Sequence, residues 1–387
     1  MYPYRISVDD HDLLVIESDG YKIQPVVVES LIIHPGERFD FVIYATQPVD
    51  NYWIRGETLE VNRRTIAEAI LRYKGAPTQN PTTSRKKCTA NETCLVLNCP
   101  FSFYPKMKHI NCMTFDKVKI MTVLDQPPAA TQGKFQEHFL NFAFPGPDFA
   151  PDSINGIAFT FPGVSAISQP DGITQPCSKS DCGEEKICFC THSLDLNQGD
   201  TVQMVITNMG RGKGWSHPVH MHGHSFYVLK MGLGNYNHTT GEFISQNSDI
   251  DCGGGKPQDQ SMCNQPRWSN QSWSNGNVPG LNLKNPPRKD TVIVPSGGYV
   301  VIRIRADNPG LWIMHCHIQL HSADGMALVL NESFANLPKV PNGFPTCGGF
   351  RRDTPSKYIK AIFYIRKEGI SNKTRLQHQQ QHTKHPK

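Results

Sequence analysis

Short runs of β-branched and aromatic residues, bounded by turn residues, recur along this chain and predict strands. Tyr21–Val28 and Arg38–Tyr44 are two such runs, with Pro35-Gly36-Glu37 marking a turn before the second. Proline cannot donate to a sheet ladder, so Pro25 places the first run at an edge or a bulge. Ala67–Tyr73 is a further candidate. Later in the chain, Thr201–Ile206 reads as a strand and Ser225–Leu229 as the body of another. Tyr299–Arg305 alternates apolar and polar positions towards its end, as a half-buried strand does. Asp307-Asn308-Pro309-Gly310 is then a turn signal, and Leu311-Trp312-Ile313-Met314 begins the next strand.

Composition agrees with a loop-rich all-β protein: 31 Gly, 29 Pro and only 19% charged residues in 387. That length suggests two or three domains with sizeable cores. No apolar run approaches the roughly 18 residues of a membrane span. Twelve cysteines and sequons at Asn91, Asn237, Asn270, Asn331 and Asn372 predict secretion and glycosylation. Met1-Tyr2-Pro3-Tyr4 lacks a basic start and an apolar core, so no signal peptide is read here. A secreted chain that opens in this way is expected to be part of a longer one.

The cysteines group by position. Cys88, Cys94, Cys99 and Cys112 lie in a polar connector over residues 76–133; disulfides or a zinc site would both use them, and the sequon at Asn91 favours disulfides. Cys177, Cys182, Cys188 and Cys190 suit two separate bridges, because Cys188 and Cys190 are too close to pair with each other. Cys252 and Cys263 bracket a glycine-rich loop as a local pair. Setting Cys316 aside leaves an odd number, with Cys347 the candidate for the unpaired member. Trp268 and Trp273 follow the loop and either line a site mouth or pack beneath the loop. From Lys357 onward there are eight Lys/Arg and one Glu. The net charge of +5 therefore belongs to a basic, disordered tail over residues 351–387, and the body is slightly acidic. No nucleic-acid motif or basic stripe is present.

Two windows carry the chemistry. His217-Pro218-Val219-His220-Met221-His222-Gly223-His224 and His315-Cys316-His317-Ile318-Gln319-Leu320-His321 together hold 7 of the 16 histidines. Side chains alternate faces along a strand, so Cys316 points one way and His315 and His317 the other. That arrangement suits two metal sites joined by short covalent paths. One cysteine, two histidines and a weak axial methionine make a trigonal blue-copper set. Cys316, His321 and Met326 can supply three members and His217 the fourth. His220 and His222 would share one face of the strand whose body is Ser225–Leu229, and can meet His315 and His317 at a second site. Copper is preferred to zinc because a lone thiolate is joined by a thioether, whereas structural zinc generally uses several cysteines.

The spacing H-P-x-H-x-H-G-H, followed about a hundred residues later by H-C-H-I-x-x-H-x-x-x-G-M, resembles the last cupredoxin domain of multicopper oxidases, in a context similar to animal (insect-type) laccases. Arg38–Val42, Asn51–Arg55 and Pro287–Val292 support the likeness, which spans roughly residues 5–350. The resemblance implies tandem cupredoxin-like domains, Greek-key β-barrels or sandwiches. A middle domain with its connector would occupy 1–133, and a C-terminal domain 134–350. It implies that His217, Cys316, His321 and Met326 hold a type 1 copper. His220 would be a type 2 ligand, and His222, His315 and His317 type 3 ligands. His224 closes the motif without being a ligand. Residues 1–75 hold no metal cluster, and the resemblance makes this middle domain a spacer that also shapes the substrate cleft.

The implied activity is a laccase's: phenols or aromatic amines are oxidised one electron at a time at the type 1 copper, with His315, Cys316 and His317 carrying electrons to a trinuclear cluster that reduces O2 to water. That cluster takes eight histidines in the family, and this chain offers four, so an N-terminal cupredoxin domain or a partner chain is expected to supply the rest. Two alternatives stand beside the laccase. One is a mononuclear blue-copper electron carrier or copper-binding protein; the other is a ferroxidase, for which Asp324 is the nearby carboxylate.

Overall fold

The computed structural model describes residues 3–59, 65–102, 109–121, 126–131, 134–145, 151–173, 175–178, 182–211 and 216–346. The basic tail and Cys347 lie outside them. By contact the chain divides into two compact units, Met1–Phe161 with Gln175–Lys339, and Pro162–Thr174 with Val340–Lys387. The smaller unit contains the 3-10 turn Pro170–Gly172. The larger unit is nearly all β.

Its first strands form two sheets. One is six-stranded, in the order Ile66–Arg72, Asn51–Thr58, Tyr4–Val8, Ser30–Ile33, Cys94–Leu97, Ile110–Met113. The other has Leu13–Ser18 between Tyr21–Val28 and Phe39–Val42. Pro25 thus sits on an edge strand, where its missing N–H removes no central ladder bond. Leu13, Val15, Ile23 and Val28 from one sheet meet Val8, Leu31 and Leu97 from the other. Each such side chain, fully buried, contributes roughly 1.5–3 kcal/mol.

The strands from residue 135 onward form a second, larger sandwich. Its eight-stranded sheet includes Phe135–Ala143, Thr201–Thr207, Tyr299–Arg305 and Phe226–Gly232 as successive neighbours. Its five-stranded sheet runs Ser193–Leu196, Ala327–Glu332, Gly310–Cys316, His217–Met221, Thr291–Val294. Phe142, Met204, Phe226 and Ile302 of the first sheet pack on Val219, Met314, Cys316 and Leu328 of the second.

Tyr299–Arg305 departs from the half-buried expectation, because all but its last residue is buried. Val300, Ile302 and Ile304 face the other sheet, whereas Tyr299 and Val301 lie beneath Trp268 and its loop. Arg303 tolerates burial because its guanidinium donates to Gln203 Oε1 at 2.6 Å and to the Pro128 carbonyl at 3.1 Å. Burial nevertheless pushes its pKa down to about 10. Trp268 is 1% exposed and packs on Phe139, Trp273 and Tyr299, so it packs beneath the loop, while Trp273 lies half-buried against it.

Among the described residues five disulfides are formed: Cys88–Cys94, Cys99–Cys112, Cys177–Cys190, Cys182–Cys188 and Cys252–Cys263. The connector cysteines are disulfides rather than a zinc site, and Cys188 and Cys190 belong to separate bridges. Among the described residues Cys316 alone is a free thiol.

Buried charge is concentrated where the two sandwiches meet. The Lys289 side chain is fully buried, donating to Ser18 Oγ at 2.6 Å and lying 3.2 Å from Asp19 Oδ2 and 3.5 Å from Glu37 Oε1. A second buried pair sits within the first sandwich. Arg5 donates to Glu29 Oε2 at 2.5 Å and to Ser30 Oγ at 2.7 Å. Removing one member of such a pair strands the other charge. Glu29→Ala is therefore expected to destabilise by about 3–5 kcal/mol, with the double variant Arg5→Met/Glu29→Leu recovering most of the loss. Urea unfolding measures both; a Glu29→Ala cost below about 1 kcal/mol would refute the burial argument.

Candidate metal centre

The strand His217–Met221 pairs antiparallel with Gly310–Cys316, setting Val219 opposite Cys316 and His220 opposite His315. Alternation then sorts the motif residues between two faces. His217, Val219 and Met221 turn into the core and are buried, as is Cys316. His220 and His315 turn the other way and are only half-buried. The His317 N–H donates to the Pro218 carbonyl at 2.7 Å, which carries the alignment past the strand end and keeps His317 with His315. His220 and His222 do not share a strand with Ser225–Leu229, as the sequence suggested. A bend over residues 222–225 separates His217–Met221 from Phe226–Gly232.

After Cys316 the chain enters a short helix, Gln319–Asp324, which carries His321 back towards the thiol. Gly325, at φ +132°, ends the helix against the Asp152 carbonyl and Ala158, where a Cβ would approach within 2.6 Å of backbone. Met326 then returns beneath Cys316. Its N–H donates to the His321 carbonyl at 2.9 Å and its carbonyl accepts from the Cys316 N–H at 3.0 Å.

Two groups result. In the first, Cys316 Sγ lies 3.7 Å from His217 Nδ1 and 3.6 Å from His321 Nδ1, and the two nitrogens are 3.3 Å apart. All three residues are buried, as is Met326. Phe144 packs edge-on to both imidazoles, with ring centroids 5.1 and 4.9 Å away. In the second group, His220 has its ring centroid 4.8 Å from His222 and 5.7 Å from both His315 and His317. His315 and His317 stack at 5.8 Å. His220 and His222 border an open cleft of about 820 Å³, shared with Tyr21, Arg288 and Asp290.

The comparisons with known proteins point one way. Two family models, both described as multicopper oxidase, match residues 2–76 and 163–335, together more than half of the chain. Among curated proteins, the chain is 27% identical over 367 residues to Laccase-1 of Botryotinia fuckeliana, covering 92% of this chain and 52% of that protein. It is 24% identical over 389 residues to Laccase-5 of Arabidopsis thaliana, covering 89% and 60%. The chain thus spans about half the length of the curated relatives it matches. Among solved structures, the laccase of Botrytis aclada aligns with a TM-score of 0.53 at 22% identity, over 87% of this chain and 50% of that one. Fet3p, a multicopper oxidase that functions in iron import, aligns with a TM-score of 0.55 at 18% identity, over 87% and 54%. This chain belongs to the multicopper oxidase family. Its sandwiches are accordingly cupredoxin-like.

Membership makes copper the metal to be held, and the donors fit it. An ion at the centre of the triangle of two Nδ1 atoms and Sγ lies about 2 Å from each, close to the roughly 2.0–2.3 Å of metal–imidazole and metal–thiolate bonds. Burial pushes the Cys316 thiol well above its ordinary range. A thiolate at that depth requires a cationic partner, which a bound metal provides. Burial, followed by the neighbouring His321, holds His217 well below the usual imidazole range. Burial likewise lowers His315 to about 4 and, with His220 and His317, lowers His222. Near neutral pH these three imidazoles are therefore neutral, as ligation demands.

Hydrogen bonds also choose which ring nitrogen is offered. His220 Nδ1 lies 3.0 Å from both the Asp290 carbonyl and Thr291 Oγ1, nearer than the Asp290 carboxylate at 3.5 Å. His315 Nδ1 donates to the Cys316 carbonyl at 2.9 Å. Both residues are left with Nε2 as the nitrogen they could offer a metal. His224 pairs instead with buried Glu332, Nε2 to Oε2 at 2.6 Å. Phe144, Asp290 and Glu332 escaped the reading of the motifs, because each meets its histidine across 70 or more residues of chain.

Replacing the thiol tests the first group. Cys316→Ser is expected to remove any intense visible absorption and one copper per chain, read by absorbance and metal analysis. A variant that keeps its colour would exclude Cys316 as the ligand.

Proposed function

We propose that this chain carries the electron-accepting half of a laccase-like multicopper oxidase. In this reading His217, Cys316, His321 and axial Met326 hold a type 1 copper. His220 is a type 2 ligand, and His222, His315 and His317 are type 3 ligands of a trinuclear site. Phenols or aromatic amines give up electrons at the first site, and O2 is reduced to water at the second. Bound copper supplies the one-electron redox chemistry.

The observation that carries the reading is the pairing of Val219 with Cys316 and of His220 with His315. It makes two ligand groups back to back, with the His315-Cys316-His317 backbone as the covalent link between them. Phe144 and the surrounding core exclude water from the first group. The second group opens on the cleft, where a small oxidant has access. The division into a spacer domain over 1–133 and a copper domain over 134–350 follows from the same reading, with four further histidines coming from another cupredoxin domain or a partner chain. Five disulfides support an oxidising, extracellular compartment. No helix among the described residues is long and apolar enough to cross a membrane.

One observation favours a second reading. The first group has a full set of ligands, whereas the second gathers four histidines, half of what the family resemblance implies. A mononuclear blue-copper electron carrier needs only the first. The ferroxidase reading rests on the single exposed carboxylate of Asp324.

Native mass spectrometry of the protein from its source decides between the first two. Four coppers on a polypeptide well above 43.4 kDa, or on a complex with a partner chain, is the laccase-like outcome. One copper on a chain near 43.4 kDa, before glycans, is the outcome that overturns it in favour of the carrier.

A further inference from the structure

The turn between Ser30–Ile33 and Phe39–Val42 reaches the second histidine group from the first sandwich. Arg38 spans the junction, with Nη1 and Nη2 each donating to one carboxylate oxygen of Asp290 at 2.6 Å. Nη1 also donates to the Gly36 carbonyl at 3.1 Å. The Arg38 N–H donates to Asp19 Oδ1 at 2.9 Å, while Asp19 Oδ2 accepts from the Asp290 and Thr291 N–H groups at 3.2 Å each. Asp290 and Thr291 are the residues whose oxygens meet His220 Nδ1. Two residues before Arg38, Gly36 adopts φ +88° and lies flat against His317, where a Cβ would be 2.6 Å from the ring Cδ2. Only glycine gives the backbone this approach.

One turn therefore bears on two of the four histidines by separate contacts. Arg38 fixes the carbonyl that orients His220, and Gly36 forms one wall of the His317 ring. The turn is itself held rigidly. Glu37 is buried and accepts from the His34 N–H at 3.0 Å and from Asn98 Nδ2 at 2.7 Å, with His34 Nδ1 at 2.8 Å and Lys289 Nζ at 3.5 Å.

We infer that Gly36 and Arg38 are positioning residues for the four-histidine group, so that the first sandwich sets the ligand geometry of the second and is more than a spacer. The inference rests on the reading of His220, His222, His315 and His317 as copper ligands. Neither residue touches the Cys316 group, so the effect is confined to one of the two sites.

The test uses the copper-loaded protein in its full natural length, with three readouts besides turnover. These are copper per chain after chelator challenge, the paramagnetic resonance signal of copper outside the thiolate site, and the visible absorption of the Cys316 site. Arg38→Met is expected to weaken copper retention at the four-histidine group by about 10–100-fold, the usual effect of losing a partner that orients a ligand, with thiolate absorption unchanged. Arg38→Lys recovers part of the loss. Gly36→Ala gives the same selective loss. Gly199→Ala, at φ +85° with open space around it, carries equal backbone strain without a histidine contact and leaves both sites intact. The inference is overturned if Arg38→Met and Gly36→Ala retain copper and resonance signal as Gly199→Ala does. It is equally overturned if they lose both sites together, which would make the turn a support of the whole fold. Wild-type protein with no copper outside the thiolate site would overturn the ligand reading itself, and this inference with it.

Discussion

The alternation of side chains along two paired strands is the constraint on which the rest of this structure depends. Successive residues of a strand face opposite ways, and antiparallel register fixes which residues meet. With Val219 opposite Cys316 and His220 opposite His315, a single pairing creates a buried thiol–imidazole group and, one residue away, a half-buried imidazole group. A slip of one residue would exchange the faces, exposing Cys316 and burying His315 and His317 without partners. The large core around Met221, Met314 and Leu328 therefore does more than stabilise the sandwich, because it sets the register that the chemistry needs.

The two groups lie in different surroundings for the same reason. The face that carries Cys316 is enclosed by two sheets and covered by Phe144, so charge there must be matched by a metal. The face that carries His220 and His315 meets the other sandwich along a polar seam. Burial alone would raise the Asp290 carboxyl, but hydrogen bonds from Arg38, His220 and Thr291 outweigh it and hold the group below its ordinary range. Lys289 is tolerated deep in the same seam because Ser18, Asp19 and Glu37 surround its ammonium. Polar groups of this kind contribute little net stability when paired and are costly when one member is lost. Their effect is to make the junction specific, fixing how one sandwich seats on the other.

The seam also explains why the chain can resemble laccases over about half their length and still present an ordered group of histidines. The strands, the turn at Gly36 and the Asp290 carbonyl hold the histidines from within this chain. The cleft beside them is where further ligands would have to approach.

The sequence alone determined the all-β class, the placing of Tyr21–Val28 at an edge or a bulge through Pro25, and the division of the His315-Cys316-His317 run between two strand faces. Those features are local. Proline lacks a donor wherever it stands, and a histidine–cysteine–histidine run divides its side chains between two faces in any strand. The sequence could also assign the cysteines to disulfides and pair the local Cys252–Cys263 bridge, yet not the other partners, since their pairing depends on which strands become neighbours. Tertiary structure decided that Tyr299–Arg305 is buried on both faces, because the cover comes from Trp268 on a distant loop. It decided that Trp268 packs as core, with Trp273 half-buried against it. It brought Phe144, Asp290 and Glu332 to histidines 70 or more residues away, and placed Gly36 against His317. Contacts between distant segments arise from how whole sheets stack, and no short window of sequence encodes that stacking.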